Sequence, residues 1–258
     1  MRNVWVVATN TFREAVRDRV LYNLVFFALL MMGAAILVGQ ISIGIEESVM
    51  ISLGLTAISV IGIFIAVFIG VGLVSKEMDK RTLYALLAKP VRRGEFLLGK
   101  YFGLVMTLAV NTVSMAVGLY AALWYVKHPV EHSAWFVLVA IYLIWLKLAL
   151  IVALAMLFAS FTTSFLAILF TAGVYVAGVF AEDLRTIRAI NVPTSTMKML
   201  RGISYLLPNF ENFNVMGAVA HGGSVPGGLV WHDTLYAIVY AAMVLIGAAV
   251  VFARRNLK

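Results

Sequence analysis

Six stretches of the chain are apolar and long enough to cross a lipid bilayer, and no other feature constrains the fold as strongly. A spanning helix needs about 20 consecutive, mostly apolar residues. Inside hydrocarbon the backbone must satisfy its own hydrogen bonds, so each stretch is predicted to be a helix rather than an isolated strand. The predicted spans are residues 20–41, 52–75, 103–126, 134–159, 163–181 and 234–253.

The composition excludes an ordinary water-soluble protein. Hydrophobic residues make up 63% of the 258 residues and charged residues only 12%, whereas soluble domains are about half apolar and a quarter charged. The apolar stretches fill the chain too evenly to leave room for a separate soluble domain. We therefore predict one all-α membrane domain over residues 1–258. The chain contains no cysteine, so disulfides and thiol chemistry are excluded.

The distribution of Lys and Arg predicts the orientation of this domain. Basic residues concentrate before the first span, between the second and third spans, and after the last span. The intervening links are poorer in basic residues. The link 182–233 carries four, but these count less for the orientation because the link is long and also contains acidic residues. Because loops rich in Lys and Arg stay inside, both termini are predicted to be cytoplasmic in a cell (inner or cytoplasmic) membrane. The predicted external links are 42–51, 127–133 and 182–233. The net charge of +8 has the same explanation, so we do not expect nucleic-acid binding.

Two regions outside the spans have patterns of their own. In residues 1–19, Trp5, Ala8 and Phe12 recur at steps of three and four, which predicts an amphipathic helix in the membrane interface. A plain cytoplasmic extension of the first span is the alternative. Residues 182–233 are too interrupted to span, and we predict short external or re-entrant helices there, followed by a loop.

The cytoplasmic loop 76–100 carries the strongest functional indication. An acid and an arginine four positions apart can pair on one helix face, a short leucine stripe follows, and a proline ends the helix. These residues are Glu77 and Arg81, then Leu83, Leu86 and Leu87, and finally Pro90. A short, charged and partly apolar helix at this position suits binding to a soluble partner.

The same segment resembles a known family. Read from Glu77 to Gly103, it has an acid, Arg-Thr-Leu, a Leu-Leu pair, Pro-Val, Arg and a later Gly-Lys. This order resembles the cytoplasmic loop of ABC-type-2 exporter permeases, and the approach to the first span, residues 11–19, is similar too. Residues 207–211, Leu-Pro-Asn-Phe-Glu, resemble the branch that contains the nitrous-oxide-reductase maturation permease. At the level of topology the resemblance covers essentially the whole chain.

The resemblance implies a function. In that family the loop is a coupling helix that docks into a separate ATPase, and two permeases pair around a lateral pathway. The chain would then be the permease subunit of an ABC exporter and not itself an enzyme. It would hold no cofactor, since ATP and Mg would bind the partner ATPase. Its other partners would be a second permease copy, identical or a close paralogue, and membrane lipid. The implied coupling residues are Glu77, Arg81, Thr82, Leu83, Leu86, Leu87, Pro90 and Arg93.

Other functions remain open at this point. The segment 182–233 could bind an extracytoplasmic partner, so that the chain acts as an ATPase-driven scaffold for that partner's maturation or assembly. His128, Glu131 and His132 match the inverted zinc-protease pattern H-x-x-E-H. Pro129 and the short link argue against a metalloprotease. Residues 94–101 are one residue from a phosphate-binding loop, but they do not follow a strand, and nucleotide binding is not expected.

Lys147 is the most unusual residue within a predicted span. It lies near the middle of 134–159, where a charge costs about 2.5–3.5 kcal/mol on insertion scales. It should therefore meet water or polar groups, and Asn111 in the third span is a candidate partner. A role in a transport pathway and a structural polar contact both remain open. In the second span, Gly62, Ala66 and Gly70 predict close helix packing.

Overall fold

The computed structural model describes residues 2–17, 46–79, 93–126, 133–182 and 207–254, together with a few isolated positions between them. The described residues form helices joined by short connections, and no β-strand occurs among them. The all-α prediction is therefore confirmed for this part of the chain. The helices are α1 (Arg2–Arg17), α2 (Glu46–Asp79), α3 (Arg93–Val126), α4 (Ser133–Ala159), α5 (Ser164–Val179), a 3-10 turn (Glu211–Phe213), α6 (Met216–Ala220) and α7 (Gly227–Arg254).

Four of these helices are long and apolar enough to cross a membrane. Their candidate spans are Glu47–Gly72, Gly94–Trp124, Trp135–Ala159 and Gly227–Phe252. They correspond to the second, third, fourth and sixth predicted spans, so a multi-pass membrane protein is confirmed. The fifth predicted span, 163–181, contains α5, which is apolar but has 16 residues, fewer than a straight crossing needs. The first predicted span, 20–41, lies almost entirely outside the described residues.

The centre of the bundle is α4, which packs against α2, α3, α5 and α7. Its apolar stretch is 78% buried, whereas that of α7 is 33% buried. A helix that is hydrophobic on all sides belongs in the interior of a bundle, and the sequence of α4 is of this kind. The remaining helices therefore leave one face each for lipid or for a partner.

Small residues bring α2 close to α4, as the sequence predicts. A Cβ added to Gly62 would lie 2.6 Å from Leu148 Cδ1, and one added to Gly70 would lie 2.9 Å from Ala155 Cβ. Ala66, one turn from each glycine, is buried as well. The prediction of close packing is confirmed, since larger side chains at these positions would push the helices apart.

The amino-terminal helix α1 lies along the first part of α3. A Cβ at Gly99 would lie 2.8 Å from the carbonyl oxygen of Val4, and one at Gly103 would lie 2.6 Å from that of Ala8. Trp5 faces away from this contact and is 62% exposed. Of the predicted apolar stripe, Ala8 is therefore used for packing on α3, whereas Trp5 presents an aromatic ring to the surroundings.

Two short helical turns precede α7 in the segment predicted to contain such elements. They are the 3-10 turn and α6, and α6 packs against α2 and α4. Gly222 follows α6 with φ of 74°, a left-handed conformation that glycine adopts without a steric penalty. The chain then enters α7, which begins just after Pro226.

Candidate functional site

Lys147 lies inside the bundle, at the contact between α4 and α2. Its side chain is 3% exposed, and Nζ donates a hydrogen bond of 2.7 Å to Ser59 Oγ. The ammonium therefore meets a polar group of the neighbouring helix and not lipid tails, where a charge is far more costly. This bond joins two helices that are held together elsewhere by apolar contacts.

Asn111 is not the partner of Lys147. It is 2% exposed, and its Oδ1 accepts no hydrogen bond from any residue that the structure describes. The two candidate intramembrane residues therefore do not form a pair with each other.

We expect Ser59→Ala to destabilise the protein more than Lys147→Met does. Removing the serine hydroxyl leaves a buried ammonium without its acceptor, and such interhelical bonds in membranes contribute about 1–2 kcal/mol. Replacing Lys147 by methionine removes the buried charge itself. The hydroxyl of Ser59 can then donate to a backbone carbonyl of its own helix. Thermal unfolding of the purified protein in detergent measures both effects.

The double variant is the control for this contact. If the bond joins the two residues, Ser59→Ala should add little on the Lys147→Met background, because the ammonium is already absent. If the losses of stability in the two single variants simply add in the double variant, the two residues do not act as a pair. A Lys147→Met variant that keeps its stability but changes its selectivity for substrate charge would instead favour the pathway role.

The segment 208–213 packs into the bundle between α5 and α7. The backbone N–H of Phe210 donates to the carbonyl oxygen of Gly178, 3.2 Å away, and Phe210 stacks near Tyr175 with ring centroids 5.2 Å apart. Phe213 is fully buried and its ring lies 6.2 Å from that of Tyr236 in α7. Two phenylalanines thus anchor a segment that ends in the 3-10 turn, and hydrogen bonds satisfy part of its backbone.

Asn209 holds this segment in place through three hydrogen bonds. Its backbone N–H donates to the Tyr236 hydroxyl at 2.9 Å, and Nδ2 donates to Glu182 Oε2 at 3.0 Å. Its Oδ1 accepts from the backbone N–H of Glu211 at 3.1 Å. Asn209 therefore connects the chain beyond α5 to α7, a role that the sequence analysis did not identify. The Pro-Asn pair is the signal that could have indicated it, since Asn after Pro commonly caps a turn through its own side chain.

Glu211 closes the exposed side of this segment. Its Oε1 accepts a hydrogen bond of 2.9 Å from Asn214 Nδ2, which ties the 3-10 turn to the residue that follows it.

Residues 94–101, which resemble a phosphate-binding loop, are part of α3. Their backbone N–H groups belong to a helix, and Gly99 lies against Val4 and Val7 of α1. A phosphate-binding loop needs free N–H groups that converge on the ligand, whereas α3 bonds the N–H groups after its first turn within the helix.

Several predicted site residues lie outside the described part of the chain. Glu77 belongs to the last turns of α2, and Arg93 is the first residue of α3. The other proposed coupling residues are not described: Arg81, Thr82, Leu83, Leu86, Leu87 and Pro90. His128, Glu131 and His132 are also outside it. Among the residues that are described, no cluster of three or more His, Asp or Glu side chains could hold a metal ion.

Comparison with known proteins decides the family. The model of the family described as ABC-2 family transporter protein matches residues 5–257, nearly the whole chain. The chain belongs to the ABC-2 transporter family. No curated protein matches it significantly.

Membership of this family indicates the general function of the helical bundle. An ABC-2 family membrane protein is the permease component of an ABC transporter and is not itself catalytic. The family implies ATPase subunits as partners, and the apolar spans agree with an integral membrane location. The buried contact between Lys147 and Ser59 and the packed segment 208–213 are thus features of a permease domain.

Proposed function

We propose that this ABC-2 family protein is an exporter permease that couples ATP hydrolysis on a separate subunit to movement of a substrate across the cytoplasmic membrane. The observation that carries the proposal is the match over residues 5–257 to the transporter family. The site residues that we assign to ATPase binding are those of the cytoplasmic loop, from Glu77 to Arg93. Our assignment follows their resemblance to the coupling helix of related permeases.

The path of the helices supports this assignment. α2 continues without interruption to Asp79, which is already inside the predicted loop 76–100, and α3 begins at Arg93, before that loop ends. A displacement of the loop would therefore act directly on two helices that pack against each other. α2 is also close to α4 at Gly62 and Gly70, so that a movement of α2 would be transmitted to the centre of the bundle.

The complete permease would have six spans and work as a dimer with two ATPases. The two further spans are residues 20–41 and 163–181, and α1 would lie in the cytoplasmic interface with Trp5 toward lipid. Binding of ATP would close the ATPases, and the loops would carry this closure to the two permease copies. A lateral pathway between the copies would then open to the outer side.

Cysteine labelling tests the orientation. Because the chain has no native cysteine, a single cysteine introduced at Arg92 or at Ser224 is the only reactive thiol. In intact cells, a membrane-impermeant maleimide should label Ser224→Cys and leave Arg92→Cys unlabelled until the membrane is permeabilised. Ser224 is exposed in the loop before α7, which makes it a matched positive control. Labelling of Arg92→Cys in intact cells would show that the orientation is opposite to the one proposed.

Purification of the tagged chain from its native membrane tests the function itself. We expect an ABC-type ATPase to co-purify, and the reconstituted complex to hydrolyse ATP. Assembly of the full native complex without any ATPase would contradict the proposal.

A second function is favoured by residues 207–211, whose sequence resembles the nitrous-oxide-reductase maturation branch. Asn209 and Phe210 attach this segment firmly to α5 and α7, so an external partner bound there would be coupled to the spans. The ATPase would in that case drive assembly or maturation of the partner without net transport. Reconstitution distinguishes the two functions, because only the exporter gives ATP-dependent flux into sealed vesicles.

A further inference from the structure

The segment 208–213 lies level with the middle of α4. A short turn joins α4 to α5, and helices joined in this way run antiparallel and pack on each other. From its first residue to Gly178, α5 therefore returns about 21 Å along α4. The same distance measured back from Ala159, the last residue of α4, reaches Trp145. Because the backbone of the segment bonds to Gly178, the segment lies near the level of Trp145.

The contacts of α7 give the same level independently. The hydroxyl of Tyr142 lies 3.1 Å from that of Thr234, and a Cβ added to Gly247 would lie 3.9 Å from Leu157 Cδ1. α7 therefore runs alongside α4 in the same direction. Tyr236 follows Thr234 by two positions, so it lies within about one residue of the level that α5 gives. Its hydroxyl accepts a hydrogen bond from the backbone of the segment, so both neighbouring helices place the segment at one level.

This level corresponds to the middle of the membrane. The apolar stretch of α4 is Trp135–Ala159, and Trp145 lies close to its centre. Trp135, at the start of the stretch, is 68% exposed, and exposed tryptophans concentrate at the membrane–water interface. Trp145 is about 15 Å further along the helix, which is about half of a hydrocarbon core. The segment 208–213 therefore reaches as deep as the bilayer middle.

Polar side chains are exposed at this depth. Glu211 lies between Phe210 and Phe213, which α5 and α7 hold at the level just described. Glu211 and its hydrogen-bond partner Asn214 are both exposed. Glu182, close to the end of α5, is exposed as well and accepts a hydrogen bond from the segment. Two carboxyl groups and an amide thus face outward from the bundle where lipid tails would surround a simple helix.

Lipid tails are a poor environment for these groups. A charged side chain at the bilayer centre costs about 2.5–3.5 kcal/mol on insertion scales. Backbone outside a regular helix occurs at this depth only where it is buried in protein or lines a water-filled cavity. A second copy packed on this face would have to bury both carboxylates, and desolvation costs several kcal/mol per ion. Water is the environment that fits an exposed, mutually bonded set of polar groups.

We propose that Glu182, Glu211 and Asn214 line a water-filled recess that opens at the Trp135 end of the bundle and reaches the middle of the bilayer. In the orientation proposed above, this end is the outer side. The recess also accounts for the length of α5. A helix of 16 residues is about 24 Å long, which is shorter than a hydrocarbon core. Because water reaches the end of α5, the helix has only part of the core to cross.

Spin labelling of the full-length protein in liposomes tests the recess. The chain has no native cysteine, so Asn214→Cys carries the only nitroxide. Val239→Cys is the matched control, because Val239 follows Tyr236 by three positions and is 60% exposed on the apolar face of α7. A water-soluble nickel chelate should relax the label at Asn214 severalfold more strongly than the label at Val239. Oxygen, which concentrates in hydrocarbon, should act more strongly at Val239. Glu211→Cys is a second probe of the recess, in case one variant does not fold.

Two results would overturn the proposal. If the chelate reaches the labels at Asn214 and Glu211 as poorly as the label at Val239, lipid or a second copy covers this face and no recess exists. If the chelate reaches Val239 as well as it reaches Asn214, this level lies outside the hydrocarbon and the depth is wrong. The chelate is present on both sides of the membrane, and the measurement needs no substrate. The result is therefore independent of the orientation of the chain and of whether it transports anything.

Discussion

Reversing the charge of Glu77, or replacing Leu86 and Leu87 by serine, should separate the permease from its ATPase. Glu77 lies in the last turn of α2, and the two leucines belong to the proposed coupling helix. Loss of an anchor residue at a protein interface costs about 2 kcal/mol or more, which corresponds to a roughly thirtyfold weaker association. The permease should still insert, since none of these residues is in the apolar part of a span.

Binding of the ATPase to the tagged permease and the ATP hydrolysis of the reconstituted complex measure this effect. Glu14→Arg is the matched control, because Glu14 is an exposed acidic residue of α1 on the same proposed side of the membrane. If Glu77 and Arg81 pair on one helix face, the exchanged variant Glu77→Arg/Arg81→Glu should recover part of the binding. Normal association and normal transport in all of these variants would refute the coupling role of the loop.

The sequence predicts four of the spans well because hydrophobicity is a local property. The boundaries are less accurate where polar residues are buried at helix ends. α7 begins at Gly227 and not at 234, and Asp233 is buried within the helix although its charge marks a boundary in the sequence. α3 begins at Arg93, about three turns before the predicted span, and Lys100 is buried near the ring of Phe96. Hydropathy treats a charged residue as exposed, so it cannot show that either residue is buried inside a helix.

The buried polar contacts could be predicted only in part. Lys147 stands out in the sequence because a charge inside an apolar run is costly. Its partner Ser59 does not, since it is separated from Lys147 by 88 positions and only the packing of α2 on α4 brings the two together. Asn209 was missed for the same reason: its acceptors and donors come from α7, from the end of α5 and from its own turn. Tertiary contacts between distant segments have no periodic signal in a single sequence.

The close contact between Gly178 and the segment 208–213 leads to the second prediction of a large effect. A Cβ at Gly178 would overlap the carbonyl oxygen of Pro208 and would lie 2.7 Å from the ring of Phe210. Neither neighbour can move easily. The N–H of Phe210 is bonded to Gly178 itself, and that of Asn209 is bonded to Tyr236.

Gly178→Ala should therefore destabilise the protein by about 1–3 kcal/mol, the usual cost of overpacking, and loosen the segment 208–213. Gly173→Ala is the control in the same helix, because nothing lies within 4 Å of the Cβ it would add. That change should be neutral or stabilising by up to about 1 kcal/mol, since alanine favours a helix over glycine. Thermal unfolding compares the two variants, and maleimide labelling of a cysteine at Val215, a buried position two residues beyond the segment, reports on its loosening. If Gly178→Ala unfolds at the same temperature as Gly173→Ala, with equally slow labelling, the segment 208–213 does not pack on α5 in the membrane as it does in this structure.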